Sequence, residues 1–391
     1  MRRFGLGLAL MIAVVLVPGV VRAQSIDDLN LQVHGYVVQA FVKSNQNSWN
    51  TTDSENGSAS WNEAVVNLSL QPQAKLKIGV QGRFQLLGDS GGDGNFTVDW
   101  AQLDYTANSY FGFRVGDVKT PMGLLNETQD IDPSYIWSLL PQGVYPIGSR
   151  NSVLSHFGGV VYGALKLGQS LGKLEYRGWG GERVMGSDDG YFVSQREAGL
   201  IIPNGVSGVT LGAAIHWKAP LPGLLIGASD SKDTQWSSNI AAGGGALSGT
   251  ETVKPMNFPS YFARYEKDKV MVAAEWFRLP VRAALNFTGL PPTPFGLDQR
   301  TWYAMASYRV TDKLTAGMYD SQSVDHHAAL GPARHSLDWT VSGRYDFNQF
   351  LYAKAEQHFI DGAELSYDAD LNPNGLKPNT KLTILKVGVS F

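Results

Sequence analysis

The stretch Ala74-Lys75-Leu76-Lys77-Ile78-Gly79-Val80-Gln81-Gly82-Arg83-Phe84-Gln85-Leu86 sorts its residues into two faces by simple alternation. Ala74, Leu76, Ile78, Val80, Gly82, Phe84 and Leu86 share one face; Lys75, Lys77, Gln81, Arg83 and Gln85 share the other. A helix would mix these two sets, whereas a strand keeps them apart. At about 3.3 Å per residue and a tilt of about 45°, roughly ten such residues cross the hydrocarbon of a bilayer. The pattern recurs near the end of the chain, where Leu351, Ala353, Ala355, Gln357 and Phe359 alternate with Tyr352, Lys354, Glu356 and His358.

Working outward, the alternation predicts strands at 31–42, 61–70, 74–87, 97–106, 110–118, 156–165, 171–180, 196–202, 208–217, 258–266, 270–281, 301–310, 313–321, 336–346, 350–360 and 381–391. Short connections alternate with long ones, the long ones being 43–60, 88–96, 119–155, 181–195, 218–257, 282–300, 322–335 and 361–380. That asymmetry fits an all-β chain forming a transmembrane antiparallel β-barrel of sixteen strands, with short periplasmic turns and long extracellular loops. Its lumen is expected to be polar and its apolar face turned to lipid. Trp179, Trp276, Trp302, Tyr105, Tyr110, Tyr265, Tyr308, Tyr345 and Tyr352 suit the membrane–water interface, where a ring is half wet.

The chain has 391 residues and no cysteine, which excludes a disulfide framework, thiolate metal sites and a cysteine nucleophile. An apolar run, Phe4 to Val21, follows Arg2 and Arg3 and precedes Val21-Arg22-Ala23. It reads as a signal peptide over 1–23, leaving 24–391 as a single barrel domain in the cell outer membrane. Its removal takes three Arg and changes the formal charge from −3 to −6, no footprint for nucleic acid. Leu385, Val387, Val389 and the terminal Phe391 share a face. That ending is similar to the final strand of bacterial outer-membrane proteins, and implies recognition of Phe391 by the barrel-assembly machinery.

One stretch is more specific. Phe113-Arg114-Val115-Gly116-Asp117-Val118-Lys119-Thr120-Pro121-Met122-Gly123-Leu124-Leu125-Asn126-Glu127 resembles the strand-to-loop junction of Gram-negative porins. It is most similar to the phosphate-selective porin O/P type and related substrate-specific porins, which favour G-x-x-K-x-P-F-G there; Met122 stands in place of the Phe. Ala355-Glu356-Gln357-His358-Phe359-Ile360-Asp361-Gly362 is similar to a late strand of that group. The resemblance implies a homotrimeric sixteen-stranded channel whose third long loop folds into the lumen. No lysine cluster matches residue by residue, so the solute stays open.

The junction also reads without the family. Pro121 and Gly123 end ladder pairing after the lumen side chain Arg114. The loop 119–155 then carries Asp130, Asp132, Tyr135, Trp137 and Arg150, together with Pro133, Pro141, Tyr145 and Pro146. A loop of that length with aromatic and prolyl anchors is expected to fold inward as a constriction.

Assigning each polar strand face to the lumen gives a basic set of Lys75, Lys77, Arg83, Arg114, Lys173, Arg177, Arg264, Arg278, Arg309, Arg344, Lys354 and Lys386. Against it stand Glu63, Asp104, Glu175, Glu266, Glu275, Asp338 and Glu356, so a weak anion preference is expected. His326-His327 beside Asp325, and Asp89 with Asp93, lack a third ligand at useful spacing; no metal or other cofactor is expected. No placeable Ser–His pair points to a hydrolase, and Glu356 with His358 suits pore lining better than acid–base chemistry. The expected function is passive diffusion of small hydrophilic or anionic solutes, with outer-membrane lipids and lipopolysaccharide around the barrel. The alternative is a barrel that acts as adhesin or scaffold through its loops, without conductance.

Overall fold

A computed structural model describes residues 30–391, apart from 89–94, 188, 193, 194, 197, 198, 365–367 and 369. The expected leader 1–23 and the pair Asp89/Asp93 lie outside the described residues. The strands are β1 (Gln32–Ser44), β2 (Ser58–Gln73), β3 (Leu76–Leu87), β4 (Asn95–Thr106), β5 (Gly112–Lys119), β6 (Ser155–Gly168), β7 (Gly172–Met185), β8 (Val206–Lys218) and β9 (Leu224–Ala242). They continue as β10 (Leu247–Val253), β11 (Met256–Lys267), β12 (Val270–Phe287), β13 (Thr293–Arg309), β14 (Leu314–Asp325), β15 (His335–Asp346), β16 (Leu351–Gly362) and β17 (Asn379–Ser390).

Neighbouring strands pair antiparallel, and β17 pairs with β1, with Val38 opposite Gly388. β10 and β11 both lie between β9 and β12, so they form one strand interrupted at Lys254-Pro255. The sheet is thus a closed barrel of sixteen strand positions. Closure removes every edge, which is what a bilayer requires of a sheet.

Two expected boundaries need correction. The described residues of 196–202 form no strand and belong to the loop between β7 and β8; Ile201 makes an isolated bridge to Ala241. Residues 224–242, expected within a long loop, form β9.

The wall is inverted relative to a soluble protein. In β16, Tyr352, Lys354, Glu356 and His358 are buried, while Ala355 and Phe359 are exposed to the outside. Leu385, Val387, Val389 and Phe391 also face outward. The lumen is not uniformly polar, however. Phe258, Phe277, Val281, Tyr303 and Tyr319 point inward and form a core with residues of two loops. Trp179 and Tyr352, expected at the membrane interface, face inward and are buried, whereas Trp276 and Trp302 alternate with inward residues and face out.

Candidate functional site: the loop that crosses the lumen

The ends of the loop between β5 and β6 are tied together. Thr120 N–H donates to the Leu154 carbonyl at 2.9 Å, and Asn126 Nδ2 donates to the carbonyls of Thr120 and Val153 at 2.8 Å each. Gly123 has φ 65°, and a Cβ there would meet a Glu275 carboxylate oxygen at 2.4 Å. A glycine is required because the chain turns left-handed against that carboxylate. Gly123 N–H donates to Ser229 Oγ at 2.9 Å, and Leu124 N–H to Glu275 Oε1 at 3.2 Å. The hydroxyls of Ser260, Tyr145 and Tyr303 also donate to Glu275. The loop therefore crosses the lumen to β9 and β12 within its first turn.

Its middle is pinned to the β15–β17 wall. Asp132 accepts from Lys354 Nζ at 2.9 Å, Lys386 Nζ at 2.8 Å and the Tyr352 hydroxyl at 2.7 Å. Lys354 also donates to the Trp137 carbonyl at 3.0 Å, and Lys386 to that of Ser138 at 3.0 Å. Glu356 accepts the backbone N–H groups of Ser138 and Leu139 at 2.8 and 2.9 Å. Arg344 reaches the carbonyls of Pro133 and Tyr135. Burial raises the Asp132 pKa, but Lys354 and Lys386 outweigh it and hold the carboxyl well below the usual range.

Two further ties bind the loop to the β1–β4 wall. Asp130 takes Lys119 at 2.7 Å and Gln81 at 2.7 Å, and its carbonyl accepts the Tyr36 hydroxyl at 2.9 Å. Arg150 pairs with Glu63 at 2.9 Å and Asp99 at 2.7 Å, and Asp99 also holds Arg83 at 3.0 Å. The apolar residues of the loop, Met122, Leu125, Trp137, Val144 and Tyr145, pack on the inward core together with Phe192, Leu200 and Ile202 of the loop 186–205. Trp137 meets Tyr319 edge-on at 5.3 Å.

The β5–β11 side keeps partly exposed charges facing the loop. The side chains of Lys354 and Lys386 are 0% and 2% exposed, whereas Arg114, Arg177 and Arg264 are 22%, 19% and 40% exposed. Arg114 pairs with Glu127 of the loop at 2.7 Å and with Asp104 at 3.2 Å. Arg177 lies 3.5 Å from Glu127, with His216 Nδ1 at 2.9 Å from its Nη1. Burial raises the Glu127 pKa, but Arg114 and Arg177 outweigh it and hold the carboxyl below its ordinary value. Arg264 has one ion-pair partner, Glu266 at 3.7 Å, and Lys173 and Lys218 share Glu175 at 2.9 and 2.7 Å. Tyr135 shares a hydrogen bond with Thr128 on the facing edge of the loop, and burial pushes its hydroxyl up to about 12. The solvent-exposed charges of the lumen thus lie between that edge and the β5–β11 wall, which marks that side as the passage.

The structure distributes the sequence-predicted residues unevenly. Arg114, Arg177 and Arg264 line the passage; Arg83, Lys354 and the loop residues Asp130, Trp137 and Arg150 are buried in the anchoring contacts, with Asp132 among them at 9% side-chain exposure. Lys77 shares the inward face near the periplasmic mouth, but Lys75 lies in the turn between β2 and β3, not on the wall. Arg278 does not face the lumen: its neighbours Phe277 and Leu279 alternate inward, and it points outward beside Arg300. Asp99 and Glu127 were not among the predicted residues; Asp99 is displaced by a register shift between β3 and β4 that breaks simple alternation.

A closed barrel with an apolar outer face, whose lumen is crossed by a tethered loop and keeps exposed charges along one wall, is built as an outer-membrane channel. The family model of Gram-negative porins matches residues 9–362, and the chain belongs to that family. Among solved structures it is similar to Salmonella typhi OmpF in complex with daunomycin, at TM-score 0.57 and 15% identity over 94% of this chain and 99% of that one. It is also similar to the anion-selective porin from Comamonas acidovorans (0.53; 10%; 93% and 99%) and to the trimer form of Vibrio cholerae OmpT (0.50; 13%; 93% and 99%). At these identities the likeness is one of fold. No curated protein matches the sequence.

Proposed function

We propose that this porin is a passive, non-enzymatic diffusion channel for small hydrophilic solutes with a weak preference for anions. The observation that carries the proposal is the passage wall, where Arg114 and Arg177 share a single loop carboxylate, Glu127, and Arg264 stands 40% exposed beside Glu266. Lower on that wall Lys173 and Lys218 share one acid, while Asp104 and Glu266 offset part of the excess. Fixed charge at a narrow, water-filled passage sets ion preference. In the Glu356–His358–Asp338 cluster, Glu356 is spent on holding loop backbone and His358 is buried between the two carboxylates, which favours a structural role over catalysis.

The finer assignments belong to the same proposal. The O/P-type resemblance rests on Phe113–Glu127 and Ala355–Gly362, and makes phosphate a solute worth testing. A homotrimer is supported by the trimer form of the similar OmpT structure. A terminal assembly signal is supported by Phe391, whose N–H and carbonyl pair with Gly35 at 3.0 Å each across the closing seam. Export by the segment 1–23 completes the reading.

The test is single-channel current and zero-current potential in a planar bilayer across a KCl gradient. A stable conductance with a small chloride-favouring potential is expected. No conductance from assembled barrels, or a potassium-favouring sign, overturns the proposal.

A further inference from the structure

Three strand arginines point away from the lumen, and all three lie on the adjacent strands β12 and β13. Arg278 and Arg300 are direct cross-strand partners, and Arg282 lies two positions further along the same face as Arg278, opposite Gly296. Their orientation follows from alternation: Phe277, Val281, Thr301 and Tyr303 are buried on the inward side. No other arginine of the described strands faces outward. Asp298 accepts from Arg278 Nε at 2.6 Å and Nη2 at 3.1 Å, and from Arg300 Nη2 at 2.8 Å. One carboxylate thus serves two guanidiniums, whose side chains remain 36% and 45% exposed. The exposed Lys254 adjoins Arg282, its N–H donating to the Arg282 carbonyl at 2.8 Å. Outward acids nearby, Asp320 on the flanking β14 and Asp230 on β9 beyond β11, reduce the positive excess without cancelling it.

Directly below this row lie outward aromatic residues. Trp276 pairs with Trp302 across β12–β13, and Tyr261 stacks on Trp276 at 5.7 Å. Arg300 is eight residues from the outward Tyr308 at the other end of β13. At about 3.4 Å per residue and a tilt of about 40°, that places the guanidiniums roughly 20 Å from the periplasmic rim, at the outer edge of the apolar band. A guanidinium facing hydrocarbon is costly, whereas one at headgroup level can take a phosphate through two parallel N–H···O bonds. Tyr and Trp rings mark the same level.

We infer that Arg278, Arg300 and Arg282 form a binding site on the outer wall for the phosphate of an outer-leaflet glycolipid, with Trp276 and Trp302 against its acyl region. The site is separate from the passage, so its failure leaves the channel reading untouched.

The experiment is native mass spectrometry of the detergent-solubilised full barrel, titrated with diphosphorylated lipid A, its dephosphorylated form, or inorganic phosphate. The wild type is expected to retain diphosphorylated lipid A at least tenfold more than the dephosphorylated form. Arg278→Gln/Arg300→Gln should lose at least tenfold of that occupancy, with heat-modifiable migration and single-channel conductance unchanged. If the double variant fails to assemble, Arg282→Gln alone should lower occupancy severalfold. Equal occupancy in wild type and variants, or equal retention of both lipids, overturns the site. So does displacement of the lipid by millimolar inorganic phosphate, which would make the ligand a free anion. Loss of the oligomer with lipid binding intact would assign the surface to subunit contact and also overturn it.

Discussion

Two halves of the inner wall carry the same kinds of side chain and use them in opposite ways. On the β15–β17 half, Lys354, Lys386, Glu356 and Arg344 are consumed by the loop, which supplies Asp132, two backbone N–H groups and a set of carbonyls. On the β5–β11 half, Arg114 and Arg177 meet the loop through Glu127, Arg264 pairs with Glu266 of its own strand, and all three stay partly exposed. A charge in a narrow lumen can therefore be an anchor or a selectivity element. What decides between them is whether the loop brings a partner to it.

The largest effect should come from breaking the sealed half. Asp132→Ala leaves two buried ammonium groups without their carboxylate, a loss of about 3–5 kcal/mol for a buried pair broken from one side. The loop should detach from β16 and β17, and single-channel conductance should rise severalfold, approaching that of a barrel lacking residues 130–145. Unchanged conductance in an assembled Asp132→Ala barrel would show that the apolar contacts of Trp137 and Tyr145 hold the loop alone.

A smaller and different effect belongs to the open half. Arg264→Glu reverses an exposed charge with one weak partner, so the barrel should assemble at wild-type conductance. Its zero-current potential should move toward potassium. Arg83→Glu is the contrasting variant: Arg83 is sealed against Asp99, so reversal should lower assembled protein without a clean change of ion preference. If Arg83→Glu moved the potential and Arg264→Glu did not, the open and sealed halves would have to be exchanged.

Glu127→Gln should act in the other direction and more weakly. Removing the single loop carboxylate on the open side raises chloride preference, but Asp104, Glu175 and Glu266 remain along the wall. Screening over about 8 Å at physiological salt limits the change to charges near the passage. The measurement is again the zero-current potential, which should shift toward chloride by less than Arg264→Glu shifts it away.

Much of this division was hidden from the sequence, for identifiable reasons. Alternation exposed the strands wherever one face meets lipid and the other meets water, as in Ala74–Leu86. It failed in β9, where Ser229, Ser231 and Asp233 face in while Asp230 and Lys232 face out, so neither face of that stretch is apolar. The expected count of sixteen still matches because alternation supplies 196–202 as a strand in its place. In β12 the rule reversed: Phe277 and Val281 face the lumen to pack on the loops, and Arg278 and Arg282 face out at the membrane edge. Pro121, Gly123 and the length of the loop made its departure legible. Which wall it would be tied to was not, because a pairing such as Asp132 with Lys354 depends on a path across the lumen that no local pattern encodes.

The smallest expected effect is one of pH, and it separates the anchor from an ordinary surface pair. Asp132 keeps its charge because Lys354 and Lys386 hold its pKa well below the ordinary carboxylate value of about 4. A carboxyl depressed in the folded state contributes stability that is fully present above the ordinary value and is lost as pH falls through the lowered one. From pH 7 down to about 4 the clamp should therefore stay closed, and conductance at fixed salt should be flat. Any loosening should begin only below that range, and it should be absent from Asp132→Ala, which is already open. A conductance step centred between pH 4 and 6 in the wild type, missing in that variant, would mean that Asp132 titrates like a solvated carboxylate and that the β15–β17 half is not sealed.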